Sequence, residues 1–107
     1  MHPQLVSQLA RLLGDDAVYG SLGLEEGACP SELSVQQLDA LRALLDGRSG
    51  DLARGLLEEA AASDDVIDRA SALAYLEDRL AFFSEVLTPE QAQRVRQAYE
   101  VGTERWG

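Results

Sequence analysis

The chain contains no lysine, and all nine of its basic residues are arginine. It has a single cysteine, Cys29, so no disulfide can close within it, which fits a reducing compartment. It has a single histidine, His2, beside the N-terminus. A histidine-based catalytic dyad and a helical di-metal site made of two Glu-x-x-His pairs are therefore both out of reach. No apolar run approaches the roughly 18 residues a membrane helix needs. Met1-His2-Pro3-Gln4 carries neither a basic stretch nor an apolar core, so a secretory signal is not expected and a cytoplasmic location is. Phosphate loop, nucleophile elbow, zinc spacing and dinucleotide fingerprint are missing as well. No catalytic residue, cofactor or metal ligand is assigned, and the expectation is a non-enzymatic protein.

What the chain does have is acid. Nineteen Asp and Glu against nine arginines leave a net charge of −10 on 107 residues. The excess is uneven: sixteen acids and six arginines precede Pro89, and three of each follow. A surface of this sign repels phosphate backbones and anionic lipid, which argues against direct nucleic-acid or membrane binding. Its electrostatic complement is a protein partner with a basic surface. Solubility alone is the plainer use of such charge.

The apolar residues recur with helical period, so the fold class is all-α. The reading is a single domain, 1–107, forming a bundle of about five helices. Leu73, Leu76, Leu80, Phe83 and Leu87 follow one another at steps of three, four, three and four, the seam of a coiled coil. This places a long helix over 64–87, capped by Ser63-Asp64-Asp65 and spanning roughly 36 Å at 1.5 Å per residue. Ile67, Ala70, Ala74 and Ala81 widen the seam on one side, and Tyr75, Phe82 and Val86 on the other. A helix this apolar must be covered, either by its own chain or by a second copy in a homodimer.

Thr88-Pro89-Glu90-Gln91 then restarts the chain with a capping box and a proline in the first turn. The last helix is expected to lay Ala92, Val95, Ala98, Tyr99 and Trp106 on the long one as a C-terminal hairpin, with a fraying end at Gly102. Upstream, 3–13 carries the stripe Leu5, Val6, Leu9, Leu12 and Leu13, closed by Gly14. Ser34-Val35-Gln36-Gln37 is a second capping box, opening a helix that Asp46-Gly47 ends. A further helix over 51–62 places Leu52, Ala53, Leu56, Leu57 and Ala60 on one face, and Gly55 in it marks a close crossing.

Residues 15–34 are the least regular part. Gly20, Gly23, Gly27 and Pro30 punctuate them, and a short helical turn near 16–19 is all they are expected to form. The segment holds Asp15, Asp16, Glu25, Glu26 and Glu32 and no arginine. Because loops commonly carry function, these five are the candidate partner-binding residues. Asp15, Gly20, Leu22 and Glu26 fall on positions 1, 6, 8 and 12 of a calcium loop. Positions 3 and 5 are Ala17 and Tyr19, which offer no carboxylate, so no calcium site is assigned. Around Cys29-Pro30 the neighbours Glu25, Glu26 and Glu32 do not supply the positive surroundings a reactive thiol needs. The carboxylates at helical spacing, Asp64, Asp65 and Asp68, read as a solvated face with Arg69 beside it.

Leu87-Thr88-Pro89-Glu90-Gln91 resembles the Leu-Thr-x-x-Gln break of Spy-like periplasmic chaperones and their metal-sensing relatives, which are helical hairpins. The resemblance spans five residues. It is one copy of a motif that family usually carries twice, in exported chains that are frequently basic or metal-ligating. Capping chemistry accounts for the same residues.

Three functions follow as expectations. The first is a small acidic helical interaction protein, acting as a regulator, adaptor or inhibitor. The second is a nucleic-acid-mimicking inhibitor of a basic nucleic-acid-binding protein, for example one encoded by a phage. The third is the helical-hairpin chaperone or metal sensor that the resemblance implies.

Overall fold

Helix boundaries follow local capping chemistry. Ser34 Oγ accepts from the Gln37 amide at 3.1 Å while the Gln37 side chain returns to the Ser34 amide at 3.0 Å. Thr88 and Gln91 make the same reciprocal pair. The computed structural model describes residues 2–106, and among them the chain is all helical, without strands. Its elements are α1 (Leu5–Leu13), α2 (Asp15–Leu22), α3 (Val35–Asp46), α4 (Ser49–Ala62), α5 (Arg69–Phe82), α6 (Pro89–Gly102) and a closing 3₁₀ turn (Thr103–Trp106).

The bundle therefore has six α-helices where five were expected. The extra one is α2. Gly14 (φ +105°) breaks the chain between α1 and α2, and Gly23 (φ +67°) ends α2 in the left-handed conformation that glycine takes without steric cost. Asp15 and Asp16 occupy the first turn of α2, where the helix dipole favours negative charge.

The long helix is shorter at both ends than its seam implied. Asp68, not Ser63, caps α5: its carboxylate accepts from the Ser71 amide at 2.8 Å, and Ser71 Oγ accepts from the amides of Ile67 and Asp68. The β-branched pair Val66-Ile67 has little helix preference to oppose this. At the far end α5 stops at Phe82. A turn follows, in which the amides of Val86 and Leu87 both reach the Phe83 carbonyl at 3.0 Å. Arg42 Nε takes the Val86 carbonyl at 3.2 Å. The turn folds Phe83, Val86 and Leu87 inward, so the seam continues into the core although the helix does not.

A single copy covers that seam. Leu76, Leu80, Phe83 and Leu87 are buried and Leu73 is partly buried. On its flanks the expectation holds for Val86, which is buried, and for Tyr75 and Phe82, which are half-buried. It fails for Ile67, which is 79% exposed, and for Ala70, Ala74 and Ala81, which face solvent. Among the described residues no element covers that side of α5.

The helices cross at glycines and at polar links. α1 runs antiparallel to α4: Arg11 meets Glu59 at 3.0 Å, and Arg48 reaches the Leu13 carbonyl at 3.1 Å. Gly55 lies so close to Leu12 that a β-carbon there would stand 3.0 Å from Cδ2, which makes it the close crossing its position suggested. α6 packs more extensively on α4 than on α5, and runs parallel to α4. Its first turn sits at Asp46, and Gly102 abuts Leu57, where a β-carbon would overlap the leucine methyl. Gly102 is thus a packing position rather than a frayed end. α5 and α6 are antiparallel, as a hairpin requires, but are joined by side chains. Tyr99 donates its hydroxyl to the Ala72 carbonyl at 2.5 Å, Arg69 Nε donates to Thr103 Oγ1 at 3.1 Å, and Arg96 pairs with Glu77.

Candidate functional site

Two glutamine side chains fix the ends of α3, the helix that follows the acidic segment. The Gln91 side chain is 1% exposed. Oε1 accepts from the Thr88 amide, while Nε2 donates to the Arg42 carbonyl at 2.8 Å and to Asp46 Oδ1 at 2.7 Å. This one amide ties the start of α6 to the end of α3. At the other end of α3, Gln37 Nε2 donates to the Leu22 carbonyl at 3.2 Å, joining α3 to α2. That link closes the loop of residues 23–34, in which Leu24, Ala28 and Leu33 pack against the core.

The five candidate residues are all exposed. They do not form one cluster. Asp15 and Asp16 begin α2, and Glu25 and Glu26 lie in the turn beyond its end, where the Ala28 amide reaches the Glu25 carbonyl at 3.1 Å. Six helical residues, 17–22, roughly 9 Å of rise, and then Gly23 and Leu24 separate the two pairs. Glu32 lies further on, in the extended approach to α3. Because 15–22 is helical, the Asp15–Glu26 register cannot wrap as a calcium loop. Among the described residues no three His, Cys, Asp or Glu side chains are grouped so as to hold a metal ion. Cys29 is exposed, its thiol pointing at the Gly27 carbonyl at 3.5 Å.

The segment has no cation of its own. Among the described residues, none of Asp15, Asp16, Glu25, Glu26 and Glu32 makes a salt bridge. Arg11, Arg48, Arg54, Arg79, Arg94 and Arg96 are paired, and their partners are Asp46, Asp51, Glu59, Glu77 and Asp78. Asp39, Glu58, Asp64, Asp65, Asp68, Glu90, Glu100 and Glu104 are likewise in no salt bridge among the described residues, so what distinguishes 15–34 is that it holds five acids and no arginine. Within the scaffold, Glu59 accepts from Arg11 and from the Tyr75 hydroxyl at once. Burial, together with the hydrogen bond and charge of Glu59, raises the Tyr75 pKa. Burial, with a smaller contribution from Tyr75, pushes the Tyr99 pKa up to about 12. Asp68 is held below the usual carboxylate range by its hydrogen bonds to Ser71.

Two depressions flank the acidic segment. One, of about 250 Å³, lies between it and the 83–88 turn, lined by Ser31, Glu32, Leu33, Leu38, Glu85 and Val86. The other, about 580 Å³ and wider open, lies between the end of α2 and the start of α3, lined by residues that include Gly20, Ser21, Ser34 and Gln36 but none that is charged. Glu85 is a residue the sequence reading did not single out. It lies 53 positions from Glu32 and was assigned to an uninterrupted helix, so no local spacing could have paired the two.

His2 has contacts of its own: its ring centroid lies 5.1 Å from that of Phe82, and its Nδ1 accepts from the Gln4 amide. Compared with protein-family models, with curated proteins and with solved structures, the chain matches none. No helix among the described residues is long and apolar enough to cross a membrane.

Proposed function

We propose that this is a non-enzymatic acidic docking protein, a regulator, adaptor or inhibitor whose 15–34 segment engages a basic surface on a protein partner. The observation that carries this reading is the composition and exposure of the segment: five exposed carboxylates, none in a salt bridge among the described residues, on a stretch without arginine. Such an arrangement accelerates encounter with a cationic partner and selects against anionic ones.

Nucleic-acid mimicry would want the charge arrayed along one ridge. α2 instead holds Asp15 and Asp16 apart from Glu25, Glu26 and Glu32, which favours a plain docking surface. The Thr88–Gln91 box serves capping and the buried Gln91 network, so it lends no support to a chaperone or metal-sensor role. The burial of the Leu76–Leu87 seam within one copy supports a monomer over a homodimer. Light scattering at micromolar concentration is expected to give the mass of one chain.

The test of the docking role is capture from cells of the source organism at low salt, followed by elution toward physiological ionic strength, where screening acts over roughly 8 Å. A basic protein should be retained and then released. It should not be retained by a variant with Asp15 and Asp16 changed to Asn and Glu25, Glu26 and Glu32 to Gln. Retention that ignores both salt and these changes would refute the reading.

A further inference from the structure

We draw no further inference here: the strongest candidate, the side of α5 that leaves Ile67, Ala70, Ala74 and Ala81 exposed, carries none because nothing in the structure shows what covers it.

Discussion

The α4–α6 scaffold and the 15–34 segment both carry exposed carboxylates, but only the scaffold has arginines of its own to pair some of them. In the scaffold, Asp51 is shared by Arg48 and Arg54, Glu77 pairs with Arg96, and Glu59 is held between Arg11 and Tyr75. In the segment, the carboxylates face water and none is paired among the described residues. Exposed ion pairs contribute little to stability, about 0–1 kcal/mol each, so the contrast says little about which region is firmer. It concerns availability. A carboxylate already paired must lose its partner to accept another cation, and one in open water must lose only hydration.

If the scaffold carries stability and the segment carries recognition, substitutions should divide the same way. The largest loss is expected from Phe83→Ala. Phe83 is fully buried at the point where the seam leaves the helix, and removing a buried phenylalanine costs about 3–5 kcal/mol. Urea unfolding would measure it, and a loss below 1 kcal/mol would show the 83–88 turn to be loosely packed.

Gln91→Ala comes next. Three hydrogen bonds worth about 1 kcal/mol each are lost, for roughly 2–3 kcal/mol. Gln91→Glu should not rescue it, because an oxygen would then face both Asp46 and the Arg42 carbonyl. Rescue by Glu would mean the amide nitrogen is not the group that matters.

An alkaline titration is expected to give a smaller effect. With the Tyr99 pKa raised to about 12, folded and unfolded chains both keep the proton below about pH 10, and the contribution is complete. Between about pH 10 and 12 the unfolded chain ionises first, and stability should fall by about 1.4 kcal/mol per pH unit. Tyr75, raised in the same direction, adds to the slope. Tyr99→Phe should flatten that slope and cost about 1 kcal/mol at neutral pH through the lost bond to Ala72. An unchanged slope would mean that other groups set the alkaline limit.

The smallest effects belong to the segment. Neutralising Glu25, Glu26 or Glu32 singly should change unfolding free energy by less than about 0.5 kcal/mol. Asp15→Asn and Asp16→Asn should cost slightly more, because each removes negative charge from the first turn of α2. A loss of several kcal/mol from any of the five would mean that the segment is part of the scaffold after all.

Helical class, both capping boxes at Ser34 and Thr88, and most of the core were legible from local pattern, because a cap or a stripe lies within one or two turns of chain. Three features were not. The start of α5 at Asp68 was obscured because Ser63-Asp64-Asp65 offers a plausible cap of its own, and only the Ser71 hydroxyl decides between them. The exit at Phe82 was hidden because a seam of period three and four continues through the 83–88 turn as if the helix did. The preference of α6 for α4 over α5 was out of reach, since it rests on Gly102 meeting Leu57 and on Gln91 reaching Arg42, contacts about 45 to 50 residues apart in the chain. For the site, the acidic composition of 15–34 was plain. That Glu32 shares a groove with Glu85 depends on folding alone.

The docking of α6 on α4 also sets an order of events during synthesis. α1, α2 and α3 contact one another through neighbours in the chain and can close as they leave the ribosome. The face of α4 that α6 covers must wait about forty residues, from Ala62 to Gly102, for its partner to be made. At about 5–20 residues per second that is a delay of roughly 2–8 s. Throughout it one face of α4 stands uncovered in a crowded cell. The interval of greatest exposure to proteases and to aggregation therefore falls on the face of α4 that α6 later covers.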